Sequence, residues 1–154
     1  MDRGQMRDRC PSARFVGVAK LPDHKLAFTR KSQRRKCGVA DAVREPGSSV
    51  WGVVWEIDER DLGKLDRAEG YSPNRDEKDN SYRREQRHVF LDGDENQPLV
   101  AEVYFANHEL EPPLPNQEYK DLIVNGARYW RLPEDYIRDV LDAIQVGPPS
   151  GGGQ

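Results

Sequence analysis

The sequence predicts an α+β fold: a mainly antiparallel curled sheet, or small β-barrel, with helices packed on it. Three observations carry this. Apolar, β-favouring runs fill the first two thirds of the chain, short turn signals join them, and helical periodicity is confined to one middle stretch and the C-terminal end. With 154 residues, 36% hydrophobic and 33% charged, the chain suits one domain over residues 1–146, followed by a flexible Gly/Pro/Ser tail at 147–154. A net charge of −3 argues against a surface devoted to nucleic acid or membrane. No run reaches the roughly 18 apolar residues of a membrane span. Met1 to Cys10 lacks an apolar signal region, so a cytoplasmic protein with Cys10 and Cys37 as reduced thiols is expected.

Each element follows from local chemistry. The charged opening, Met1 to Cys10, fits a short helix. Arg14 to Leu21 (RFVGVAKL) reads as a strand, Pro22-Asp23 as a turn, and Lys25 to Thr29 (KLAFT) as the returning strand of a hairpin. Arg30 to Lys36 (RKSQRRK) is a basic loop, and without interleaved aromatics it reads as solvated rather than as a nucleic-acid contact. Cys37 to Arg44 is a weak strand closed by Pro46-Gly47-Ser48-Ser49. Val50 to Ile57 (VWGVVWEI) is the longest β-favouring run. A helix follows, with Asp58 as its N-cap, Leu62 and Leu65 as its stripe, and Gly70 as a left-handed stop. The polar loop Ser72 to Ser81 is expected as a mobile rim over a site beside Glu69, or else as a plain solvated loop. Tyr82 to Leu91 and Leu99 to Asn107 are strands around a turn at Gly93 to Pro98. After an extended crossing through Pro112, Pro113 and Pro115, Gln117 to Trp130 carries apolar residues at helical spacing. Pro133 opens a last helix lined by Tyr136, Ile137, Val140, Leu141 and Ile144.

Chemistry narrows by elimination. The chain has no Gly-rich phosphate loop and no G-x-S-x-G elbow. His24, His88 and His108 are scattered, and neither cysteine stands at metal-ligand spacing from them, so no metal is expected. What remains is a carboxylate with tyrosines and backbone groups. Glu69 is the odd one, because at about 100° per residue it falls between Leu62 and Leu65. A carboxylate there, at the negative end of a helix dipole, has its charged form disfavoured, as a general acid/base near neutral pH requires. The same position also suits a frayed, solvated side chain.

Taken together, VWGVVWEID, LGKLDRAEGY, SYRREQ, VAEVYFAN and PPLPNQEYKDLIVNGARYWRLPEDYI resemble the γ-glutamylcyclotransferase family across roughly residues 11–146. The resemblance implies a small α+β fold around a closed or nearly closed barrel. The reaction it implies is release of 5-oxoproline from a small γ-glutamyl amino acid or amine, the substrate's own α-amine attacking its γ-carbonyl. The family's catalytic glutamate lies in an LD-x-x-EG context, which places the general acid/base at Glu69. Tyr82, Tyr104 and Tyr119 match tyrosines of the family's pocket and would bind substrate, or otherwise pack as half-buried core residues. No cofactor is implied, and a homodimer is a possible assembly. One departure stands out: the family's opening strand ending in Tyr-Gly-Ser-Asn has no counterpart, so the sequence reads as an N-terminally truncated domain with unpaired strand edges and fewer oxyanion donors. Two other readings follow: a non-catalytic member binding a γ-glutamyl-like ligand or a protein partner, and a relative that removes a γ-glutamyl protecting group from a biosynthetic intermediate.

Overall fold

The computed structural model describes residues 3–149. The last five residues of the expected tail, 150–154, lie outside the described residues. A short helix, α1 (Arg3–Arg9), leads into two long strands, β1 (Arg14–Ser32) and β2 (Cys37–Glu56), paired antiparallel along their length. The basic segment supplies the end of β1 (Arg30 to Ser32) and the turn between the two strands (Gln33 to Lys36). Lys36 closes it at φ 55° with its N–H on the Ser32 carbonyl at 2.7 Å.

The expected hairpin at Pro22-Asp23 does not form. The strand runs straight through it, and the real hairpin turn comes at the basic segment. Pro22-Asp23 instead faces Pro46-Gly47 across the ribbon: register passes from Pro22↔Ser49 to His24↔Arg44, leaving Glu45 to Ser48 bulged out. Asp23 (φ 58°) and Gly47 (φ 85°) both take left-handed backbone, and the Gly47 N–H donates to the Asp23 carboxylate at 3.1 Å. Two local turn signals thus merge into one paired irregularity that bends the ribbon. The six expected strand segments are four strands.

The other two, β3 (Tyr82–Leu91) and β4 (Pro98–Ala106), form a hairpin, and the sheet order is β2-β1-β3-β4. β1 and β3 share only the pairs Ala19↔Leu91 and Lys20↔Phe90 before they diverge. The outer strands β2 and β4 are tied at one end by Asp41, 5% exposed, whose carboxylate accepts the Ala106 N–H at 3.0 Å. The same carboxylate accepts from the Ala42 N–H and the Thr29 hydroxyl, and His108 Nε2 lies 3.2 Å away. A curled antiparallel sheet therefore forms, with one buried carboxylate joining its two edges.

Side chains alternate across this ribbon as strand geometry requires. Val18, Leu26, Phe28, Trp51 and Val53 pack on the helical layer, whose buried residues include Val124, Ala127, Leu132, Ile137 and Leu141. That layer is α3 (Gln117–Tyr129) and α4 (Glu134–Tyr136), the latter continuing as a wider π turn over Ile137–Leu141. Asn116 caps α3 by accepting the Tyr119 N–H, and Pro133 stands at the start of α4. On the other face Ala19 and Leu21 join Val89, with Val50, Val54 and Leu91 around them. The proline crossing packs against the start of β2, where the Gly38 N–H donates to the Leu114 carbonyl at 3.1 Å. A Cβ at Gly38 would lie 2.0 Å from the Pro113 carbonyl oxygen. Gly38→Ala is therefore expected to destabilise by about 1–3 kcal/mol, read as a lower denaturation midpoint at unchanged slope. Among the described residues no helix is long and apolar enough to cross a membrane.

Candidate active site

The helix after β2, α2 (Glu59–Ala68), carries the site. Asp58 occupies its N-cap position with extended backbone, but its carboxylate makes no cap bond; it pairs with Arg60 at 3.0 Å instead. The start of α2 is held from outside. Ser12 donates its N–H (3.1 Å) and hydroxyl (2.5 Å) to Asp61 and accepts the Asp58 N–H through the same hydroxyl. The end of α2 is closed by a two-bond C-terminal motif: Gly70 N–H to the Arg67 carbonyl at 3.1 Å and Tyr71 N–H to the Asp66 carbonyl at 2.8 Å. Gly70 takes the φ of 69° that this motif needs, and a Cβ there would meet the Ser81 side chain at 3.0 Å.

At about 100° per residue, Asp61, Leu65, Glu69, Leu62 and Asp66 follow one another around the inward face of α2. Three carboxylates thus share one helix face, and the fold treats each differently. Asp61 is 3% exposed, and its Ser12 hydrogen bonds hold its pKa below the ordinary value. Asp66, 7% exposed, accepts the Tyr104 hydroxyl, and Arg84 Nε lies 3.0 Å away. That nitrogen makes no aligned hydrogen bond, so the Arg84 contact is a charge pair. Glu69, at the helix C-cap, has one described partner, Arg9 Nη1 of α1 at 3.4 Å. Its side chain is 26% exposed. Burial raises its pKa and the Arg9 charge opposes the rise.

Glu69 opens into a cleft of about 740 Å³ between α2, the curled sheet and the helical layer. Tyr82, Tyr104 and Tyr119, far apart in the chain, line the same cleft. Burial raises the pKa of all three hydroxyls, and the Glu69 charge adds to the rise in each, so they stay protonated near pH 7. Tyr104 gives its proton to Asp66; Tyr119 accepts the Ala40 N–H at 2.9 Å. The Tyr82 hydroxyl has no hydrogen-bond partner among the described residues. Also among these residues, no group of three His, Cys, Asp or Glu side chains could hold a metal ion.

The pattern of the AIG2-like family matches residues 49–140, which span α2, Glu69 and the three tyrosines. The chain is 34% identical over 152 residues to a protein of Homo sapiens named gamma-glutamylcyclotransferase, covering 93% of this chain and 73% of the relative. A Bos taurus protein of the same name is 35% identical over 153 residues with the same coverage. A solved structure named gamma-glutamyl cyclotransferase superposes with a TM-score of 0.82 at 30% identity, covering 98% of this chain and 86% of that one. The chain belongs to the γ-glutamylcyclotransferase family.

Two further segments of this γ-glutamylcyclotransferase family member bear on the site. Lys31, Gln33, Arg34 and Lys36 of the basic segment are exposed, as the solvated reading expects, and the segment also borders the cleft. At the β1–β2 turn it hangs over the cleft, where Arg30, Lys31 and Arg35 line the wall and the Arg35 guanidinium sits 5.0 Å above the Tyr119 ring. Its five cations in seven residues were visible in the sequence; its place depended on the hairpin register. Of the loop Ser72 to Ser81, Ser81 lines the cleft and residues 74–79 are exposed, which fits the solvated alternative rather than a rim. Buried Asn80 organises it, accepting from the Ser72 N–H and Arg75 Nε through Oδ1, while Asn107 Nδ2 donates to its carbonyl at 2.6 Å. Arg9 and Asp66 were not picked out from the sequence, because only the fold places one beside Glu69 and the other under Tyr104.

Proposed function

We propose that this chain is a γ-glutamylcyclotransferase, releasing 5-oxoproline from a small γ-glutamyl amino acid or amine with Glu69 as general acid/base. The observation that carries this is a carboxylate whose burial raises its pKa, fixed at a capped helix end, facing the same cleft as three protonated tyrosines. The α-ammonium of the substrate must lose a proton before it can attack, and Glu69 takes it. The amine nitrogen bonds to the γ-carbonyl carbon, the C–N bond to the leaving group breaks as protonated Glu69 gives its proton to the departing nitrogen, and the second proton, still in excess on the new ring nitrogen, passes through Glu69 to the released amine, which leaves as an ammonium. No water is consumed and the carboxylate ends as it began. Because the attack is intramolecular, holding the γ-glutamyl chain folded removes much of the barrier. Tyr82, Tyr104 and Tyr119 supply the hydroxyls that hold it. The reaction needs no cofactor, and a cytoplasmic setting and a homodimer accompany the proposal.

The test is equimolar release of 5-oxoproline and alanine from γ-glutamyl-L-alanine. No release would overturn the assignment, and no release together with retained binding of that compound, unaffected by Glu69→Gln, would turn it toward a non-catalytic binder. Arg9 supplies a second check. It opposes the burial-driven rise at Glu69, so Arg9→Met should raise the Glu69 pKa further. Glu69 acts as a base only when ionised, and activity falls as pH drops through its pKa. The acid limb of the rate profile should therefore move to higher pH in Arg9→Met, and an unmoved or lowered limb would contradict the pairing.

A further inference from the structure

A tyrosine hydroxyl has one proton to give and lone pairs to receive with, and whichever role the protein has already used shapes what it offers a ligand. Two cleft tyrosines are committed in opposite senses. Tyr104 gives its proton to Asp66 Oδ1 at 2.5 Å. Asp66 is buried, receives that proton and pairs with Arg84 at 3.0 Å, and a carboxylate so paired offers acceptor sites only. Tyr119 receives the Ala40 amide N–H at 2.9 Å, which directs its own proton away from β2. No other described group receives that proton. Its ring is held by Arg35 above it and the Phe28 edge at 6.3 Å, and its backbone by the Asn116 cap.

We propose that Asp66 is a positioning residue that makes Tyr104 an obligate acceptor, so that the cleft has a fixed polarity: an amine-recognising end at Tyr104 and an oxygen-recognising end at Tyr119. This rests on the γ-glutamyl reading above and says which way round the substrate lies. The α-ammonium donates to the Tyr104 oxygen, and the γ-carbonyl or a carboxylate oxygen receives the Tyr119 proton. No group need reorient when the substrate enters, because Asp66–Arg84 and the Ala40 amide have already set both hydroxyls.

The test measures affinity by calorimetry in the Glu69→Gln background, where turnover is blocked. Two ligands are compared: γ-glutamyl-L-alanine, and glutaryl-L-alanine, which lacks only the α-amine. Tyr104→Phe should weaken the amine-bearing ligand about 10-fold, the scale of one hydrogen bond to a charged group, and leave the deamino ligand within about 2-fold. Tyr119→Phe should weaken both ligands by the same factor. Asp66→Asn, which can donate to Tyr104 and free its proton, should reproduce the selective loss. Adding it to Tyr104→Phe should bring no further selective loss. Equal weakening of both ligands by Tyr104→Phe, or a selective effect of Tyr119→Phe, overturns the proposal even if Asp66→Asn fails to fold. Additive selective losses from Asp66→Asn and Tyr104→Phe overturn the part assigned to Asp66. If neither ligand binds the parent protein, the γ-glutamyl reading itself fails and the polarity falls with it. If both bind with the expected split but 5-oxoproline is never released by the unsubstituted chain, only the catalytic reading fails.

Discussion

Glu69→Gln is expected to lower kcat on γ-glutamyl-L-alanine by about 10³-fold, within the range removed with a general acid/base. The amide keeps the shape and one acceptor but takes no proton from the α-ammonium and gives none to the leaving nitrogen. The first transfer precedes the attack and the second accompanies departure, and neither strengthens ground-state binding, so kcat and kcat/KM should fall together while KM changes little. Stability separates this from misfolding. A carboxyl whose folded pKa is raised above its unfolded value contributes stability that is present below the unfolded pKa and lost as pH rises through the folded one. Near neutral pH, ionised Glu69 therefore carries a burial cost that glutamine does not. The variant should unfold at a denaturant midpoint no lower than the parent by more than its lost Arg9 contact explains. A variant that is fully folded and retains a tenth or more of the parent kcat would remove Glu69 from the mechanism.

Asp41→Ala should be the most damaging single substitution for the fold, at about 3–5 kcal/mol. Asp41 is buried and receives the Ala106 N–H from β4, the Ala42 N–H from β2 and the Thr29 hydroxyl from β1. Alanine leaves the Ala106 amide in a buried place without its acceptor. The same change unties the point where the outer strands meet. For a domain of this size the melting temperature should drop by about 10 °C. Asp41→Asn, which keeps one acceptor, should lose less. A midpoint unchanged in Asp41→Ala would show that the curl of the sheet is held by the helical layer alone.

How much was legible in the sequence differs from element to element, for physical reasons. The strand run from Val50 to Glu56, the helix α3 and the Gly70 stop were readable because each rests on chemistry within a few residues: β-branched runs, a 3.6-residue period, a residue tolerant of positive φ; the last helix is α-helical only over Glu134–Tyr136 and widens to a π turn over Ile137–Leu141. Pro22-Asp23 misled for the same reason. Its local chemistry suits a turn and a bulge equally, and only the opposing Pro46-Gly47 on another strand selects the bulge. Asp58 has cap chemistry, yet Ser12, a residue remote in sequence, took over the start of α2.

The site divides along the same line. Sequence alone placed Glu69 between Leu62 and Leu65 beside a glycine stop, since helical spacing and a glycine stop are local properties, while its turning inward rather than fraying into solvent was decided by the fold. It also carried the family blocks in which Tyr82, Tyr104 and Tyr119 stand. Tertiary structure decided what each of the three carboxylates on that face would meet. Ser12 quiets Asp61, and Tyr104 with Arg84 engages Asp66, while Glu69 meets burial and a single arginine. Ionisation depends on burial and on charges within a few ångströms, and those neighbours come from segments dozens of residues away. The basic turn over Tyr119 was likewise decided by hairpin register, which no property of Arg30 to Lys36 contains.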